Sequence, residues 1–311
     1  MSNPQTEFDT PWKEVIEGYF EEFILFFFPE AHREIDWTRP REFLDKELQQ
    51  VVRDAELGRR LVDKLVKIYR VGGEEAWVLI HLEVQSQEES DFAQRMFVYH
   101  YRIYDRYKRS IATLAVLGDD RKSWRPNQFG YQLFGCEVSF NFPVVKLLDY
   151  QQQWSELESS RNPFATVVMA HLKAQQTREN RNERLQWKLI LTRRLYQQGY
   201  ERQDVINLFH FIDWVMSLPA ELEQEFWQEV SQYQDEQRMP YITSVERIGI
   251  QKGMREGLIE GVSVGLRLKF GEEGLSLLPE ISEIQDVEQL RAILAALAEV
   301  NALSELRSIY Q

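Results

Sequence analysis

Residues Leu61 to Gln85 read LVDKLVKIYRVGGEEAWVLIHLEVQ, two runs rich in Val, Ile, Leu, Tyr and Trp on either side of Gly72-Gly73-Glu74-Glu75. Such side chains fit a pleated surface and glycines permit a tight reversal, so the stretch predicts a β-hairpin. Strand alternation then assigns each residue to a face. On the second strand Val78, Ile80, Leu82 and Val84 share one face, the expected core, while Trp77, Leu79, His81, Glu83 and Gln85 share the other. In an antiparallel hairpin the start of one strand lies beside the end of its partner, which brings Asp63 towards Glu83 and Gln85. Two carboxylates and a neutral oxygen donor can hold a hard divalent cation. The bland alternative is a strand emerging into solvent.

With 311 residues, 43% of them hydrophobic, the chain can bury a sizeable core, which suggests two domains or one domain plus an extension. The single cysteine, Cys136, excludes an internal disulfide framework and a cysteine-rich zinc site, and fits a reducing compartment. No charged-then-apolar leader opens the chain, and the apolar run Phe23 to Phe28 falls far short of the roughly 20 residues of a membrane span. The expectation is a soluble, cytoplasmic protein with no membrane partner. A formal net charge of -13 argues against nucleic acid. Between Asp91 and Arg125, however, eight basic side chains face four acidic ones, so the argument weakens locally.

Asp9-Thr10-Pro11 predicts the start of a helix that runs to Phe28 and stops at Pro29. Trp12, Ile16, Tyr19, Phe20, Phe23 and Phe27 give it one buried face. Glu14, Glu17 and Glu21 lie elsewhere on it, either complementing the helix dipole or reaching a metal. Beyond the hairpin, a helix from Asp91 to Lys108 interleaves tyrosines with Arg95, Arg102 and Arg106, a combination able to grip a phosphodiester backbone or to form a core helix with a solvated basic edge. Strands at Ile111–Leu117 and Tyr131–Phe142 complete a mixed α/β domain over residues 1–150. Residues 151–240 read as a helical connector, with helices at 154–178, 182–198, 204–218 and 222–232. In residues 241–311, Gly249, Gly253, Gly257, Gly261 and Gly265 recur every four residues. That stripe predicts either a frayed helix or close helix–helix approach, and self-association through the C-terminal helices is the favoured expectation. An amphipathic helix at Val287–Tyr310 ends the pattern.

The set formed by Asp63, Ile80-His81-Leu82-Glu83-Val84-Gln85-Ser86, and Arg95-Met96 with Tyr99 resembles the Rpn family of recombination-promoting nucleases. These belong to the PD-(D/E)XK superfamily and are also described as transposase-like. Asp9-x-x-Trp12-Lys13 and the glycine-rich tail resemble a branch common in cyanobacteria that carries a C-terminal domain of unknown function. The resemblance covers residues 8–150 strongly and 240–311 loosely. It implies a restriction-endonuclease-like α/β fold, a mixed sheet flanked by helices, followed by an α-helical extension. It also implies a Mg²⁺-dependent DNA endonuclease, with Mn²⁺ as a substitute, that promotes DNA recombination and acts as a dimer. Carried over by match, Asp63 and Glu83 become metal ligands, with Glu17 as a third by analogy, and Gln85 occupies the position usually held by lysine. Lys67, on the face of Asp63, is the candidate replacement for that charge, ahead of Lys64. Arg95, Tyr99 and Arg102 would contact DNA phosphate or support the acids. The rival expectation is a non-catalytic interaction protein on a nuclease scaffold, which the acidic total charge favours.

Overall fold

The computed structural model describes residues 6–44, 46–48, 62–83, 91–237, 244–284, 286–297, 300 and 302–310, with the backbone alone at 6–10, 62–63, 81–83, 237, 244–254 and 288. The chain forms two compact units, one of Trp12–Val168 and one of Met1–Pro11 with Met169–Gln311.

The first unit is α/β. The hairpin expected from the sequence forms β2 (Val62–Tyr69) and β3 (Glu75–Glu83), paired antiparallel with Asp63 opposite His81, Leu65 opposite Leu79 and Lys67 opposite Trp77. Its turn closes where the Arg70 amide donates to the Glu74 carbonyl (2.8 Å) and the Gly73 amide to the Arg70 carbonyl (2.7 Å). Gly73 adopts φ 85°, a backbone that its missing Cβ makes accessible. The short β1 (Glu42–Phe43) pairs with β2, and β4 (Ile111–Leu117) and β7 (Val144–Lys146) add in parallel on the other side, giving the order β1-β2-β3-β4-β7. Parallel pairing of β3 and β4 requires a crossover, which is supplied by α4 (Phe92–Tyr107).

Both faces of this sheet are covered. Leu65, Trp77, Leu79, Ala115 and Leu117 pack with Phe92, Met96, Tyr99 and Ile103 of α4. Positions of the opposite parity, Val66, Ile68, Val78, Ile80, Leu114 and Val116, are buried as well. A strand covered on both sides loses the apolar–polar alternation that would separate a core face from a wet one. The face assigned to core by its Val/Ile pattern is therefore one of two.

The expected first helix is divided into α1 (Thr6–Gly18) and α2 (Phe20–Phe27); it ends before Pro29 as expected, and Pro29 then opens a further short helix, α3 (Pro29–Glu34). Proline at a first helical position costs no hydrogen bond, because that amide has no helical acceptor. The expected single strand Tyr131–Phe142 is instead broken by a turn at Phe134-Gly135, which joins β5 (Gln128–Leu133) to β6 (Cys136–Asn141) in an antiparallel hairpin. Phe134 and Gly135 both take positive φ (50° and 84°), as a two-residue reversal between right-twisted strands demands. The unit continues past Tyr150 through a 3₁₀ turn and α5 (Trp154–Ser159) to the start of α6 (Pro163–Gln176). There the buried Phe164 packs on Phe23 and Phe27 at 5.2 and 5.6 Å, and the Asn162 amide donates to the Glu22 carbonyl at 3.0 Å.

The second unit is helical among its described residues: α7 (Arg181–Gln197), α8 (Arg202–Val215), α9 (Ala220–Gln237), α10 (Ser244–Gly274), α11 (Leu278–Ser282), α12 (Val287–Ala296) and α13 (Leu303–Arg307). Lys188 on α7 is fully buried and lies 2.5 Å from Asp213 and 3.2 Å from Glu223, so one ammonium serves two carboxylates. Burial pushes Glu223 above the usual carboxylate range despite that ammonium. Leu258, Val262, Leu266, Leu290, Leu294 and Leu297 form the shared core of α10 and α12. A Cβ on Gly261 would stand 3.2 Å from Leu294, and one on Gly265 would stand 2.9 Å from Leu297. The close approach anticipated from the glycine stripe thus occurs within the chain at these two positions. None of the described helices is long and apolar enough to cross a membrane.

Candidate active site at the carboxyl ends of the parallel strands

In sheets with parallel strands, sites form outside the strands' carboxyl ends, where crossovers diverge. Here the lateral register Glu83–Leu117–Lys146 runs across the ends of β3, β4 and β7. Because β2 is antiparallel, its start lies at the same edge, with Asp63 opposite His81. Asp63 and Glu83 are then diagonal neighbours on one face, with Cα atoms about 7–8 Å apart, a spacing at which two carboxylates can share one cation. The face is that of Leu65 and Leu79, against which α4 packs. Gln85 lies outside the described residues.

Ring contacts fix the direction of α4 across this face. Tyr107 meets Trp77 at the beginning of β3 (4.9 Å), whereas Phe92 meets Trp124 at the far end (5.3 Å). Arg95, one turn from Phe92, therefore lies towards the edge that carries Glu83. It is 5% exposed, with its guanidinium 5.6 Å from the Phe92 ring. Tyr99 follows on the same buried stripe. Arg102 is only partly buried and stands off that stripe.

The same edge holds a buried ion pair that motif reading passed over. The Lys146 ammonium donates to Asp119 at 2.5 Å and to the Trp124 carbonyl at 3.2 Å, under the Trp124 ring (5.5 Å), with side chains 0% and 1% exposed. Asp119 also accepts from the Arg121 amide at 2.9 Å. Desolvating two charges costs several kcal/mol per ion, so such a pair persists only where its remaining hydrogen bonds are met. Around it the loop after β4 is pinned, since Arg125 forks onto Asp149 at 2.8 and 2.5 Å. That contact holds the Asp149 carboxyl below its usual range. The signal in the sequence was a charged residue at each of two apolar strand ends, LAVLGD and FPVVK.

Two expected residues lie elsewhere. Glu17 is ion-paired with Lys64, whose position has the opposite parity to Asp63 and faces away from α4. Lys67 shares the parity of Asp63 but stands four residues along the strand, about 13 Å at the rise of extended chain. It bonds Glu42 at 3.4 Å, and the neighbouring Tyr69 and Glu42 keep its ammonium above the ordinary lysine range. No group of three or more His, Cys, Asp or Glu side chains able to share a metal ion occurs among the described residues, which do not include the side chains at 63 and 83. No family model, curated protein or solved structure matches the chain.

Proposed function

We propose that this chain is a divalent-metal-dependent endonuclease of the Rpn type, hydrolysing DNA phosphodiester bonds. The β2–β3 register carries the reading, since it leaves Asp63 and Glu83 on one face at the end of the sheet where the parallel strands terminate. Their carboxylates would hold Mg²⁺, or Mn²⁺ in its place. Bound there, the ion supplies Lewis-acid polarisation of the scissile phosphate and acidifies the attacking water.

The remaining residues act through charge and position. Gln85 brings no charge, and the cation on the helix packed over this face is Arg95, held in low-dielectric surroundings where its field is weakly screened. Tyr99 lies on the same buried stripe of α4. Lys146, neutralised by Asp119, fixes the end of β7 and the loop after β4, which presents Arg121 and Lys122 to solvent. Arg102 is exposed enough to meet phosphate.

Cleavage of supercoiled plasmid in Mg²⁺, against EDTA, tests the proposal. Metal-dependent nicking or linearisation should disappear in Asp63→Ala and in Glu83→Ala. It should survive in Lys67→Ala, because that residue stands four positions, about 13 Å, along the strand from Asp63. Well-folded wild-type protein that cuts in neither Mg²⁺ nor Mn²⁺, or acid variants that cut normally, would refute it.

A further inference from the structure

The helical unit buries a charged cluster that the proposed reaction does not use. Lys188 of α7 is 0% exposed, and its ammonium lies 2.5 Å from Asp213 of α8 and 3.2 Å from Glu223 of α9. Three helices thus meet on one cation. Phe226 closes over it, with its ring 4.6 Å from the ammonium and stacked on Phe209 at 6.1 Å. On Glu223 one oxygen accepts from Lys188 and the other from the Trp227 indole at 2.7 Å.

Two ionised carboxylates on one ammonium leave a negative charge without a counterion, which a protein interior penalises heavily. Asp213, nearer to the ammonium and with its side chain only 6% exposed, completes the ion pair. The surplus falls on Glu223, whose side chain is 20% exposed and can therefore exchange a proton with solvent. Burial would lower the pKa of Lys188, but the two carboxylates together raise it, so the cation persists. The charges that bear on Glu223 are Lys188 and Asp213, and its own burial outweighs the attraction of the ammonium. The neighbouring Arg184 of α7 donates instead to Thr177 and to the Ala174 and Ser217 carbonyls, and Arg193 pairs with Glu229 of α9.

Position gives this proton a mechanical consequence. Glu223 stands in the first turn of α9, where its amide donates to the Pro219 carbonyl at 2.9 Å. Two residues earlier, the Ser217 hydroxyl accepts from Arg291 of α12 at 2.7 Å, and Arg291 also donates to the Trp214 carbonyl at 2.9 Å. We propose that Lys188, Asp213 and Glu223 form a proton-operated latch. A proton on Glu223 closes the first turn of α9 onto α7 and α8; its loss to solvent as the pH rises loosens that turn and the Ser217–Arg291 contact beside it. The latch belongs to the helical unit and stands independently of the nuclease reading.

The test compares full-length wild type with Glu223→Gln, whose neutral amide stands in for the protonated acid, by urea unfolding and amide hydrogen exchange between pH 4.5 and 8.5. A carboxyl that holds its proton more tightly when folded contributes stability fully below its usual value of 4.5 and loses it as the pH rises through the folded value. The unfolding constant of wild type, divided by that of Glu223→Gln, should therefore grow at least about threefold from pH 4.5 to pH 8. Amides of residues 220–228, corrected for the intrinsic pH dependence of exchange, should lose protection over that range in wild type and keep it in Glu223→Gln, with those of α12 following. Glu229→Gln, at the exposed Arg193 pair on the same helix, should behave as wild type. A ratio that does not change with pH would overturn the latch, as would wild-type α9 amides equally protected at pH 5 and pH 8. A Glu223→Gln that is unfolded at pH 8 would do so too, by showing that α9 requires the ionised carboxylate. Amides of α12 that stay protected while α9 opens would overturn the link through Arg291.

Discussion

Lys146 and Asp119 are each tolerable in the interior only because of the other. Removing one partner strands a charge, so Lys146→Met should cost about 3–5 kcal/mol in urea unfolding. The double variant Lys146→Met/Asp119→Leu should recover most of that loss, since an apolar pair of similar volume replaces a desolvated one. A double variant no more stable than the single would mean that the pair contributes through more than mutual neutralisation. His100 gives a pH signature. It lies 3.0 Å from the Thr113 hydroxyl and against Phe140, and burial holds its pKa below the ordinary 6.5. The unfolded chain therefore takes up a proton first as pH falls, and stability that is complete above pH 6.5 declines as the pH drops towards the folded-state value. His100→Gln should flatten the stability profile between pH 7.5 and 5.5 relative to wild type. Identical slopes would mean that other groups carry that dependence.

At the level of elements, α10 tests what glycine does in a helix. Gly257 has open space where a Cβ would go, so Gly257→Ala should stabilise by up to about 1 kcal/mol through helix propensity alone. Gly265 is pressed by Leu297, so Gly265→Val should destabilise by about 1–3 kcal/mol through overpacking. Equal effects from both, read by chemical denaturation of the full chain, would discard the packing explanation. The spacing of these glycines was visible in the sequence, but their partner was not. A period of four residues reports that something comes close, and only the fold says that α12 of the same chain does. The hairpin β2–β3 was legible because its glycine turn and β-branched runs are local signals. The β5–β6 hairpin was hidden because its turn places Phe134 where a polar or glycine residue would have announced it. The break between α1 and α2 follows Gly18, a signal that the aromatic period continuing through Tyr19 and Phe20 masked.

For the molecule as a whole, the acids and the helix of arginines could be read as a motif, whereas the Lys146–Asp119 pair could not. Motif reading follows neighbours in sequence, and these two residues meet only because β4 and β7 lie side by side. The limit of the first unit was hidden for a related reason. Phe164 belongs to its core by contact with Phe23 and Phe27, although helical periodicity begins well before it.

The order of strands also sets an order of events. The β2–β3 hairpin joins residues close in sequence, and such hairpins close within about 1–10 μs. Pairing β4 beside β3 must wait for α4, because no short turn can connect parallel strands. Lys146 must then find Asp119 across 27 residues that include a second hairpin, against the entropy of closing that loop. A refolding chain would thus bring Asp63 and Glu83 into register early, while the edge they share stays open until its buried cation is captured.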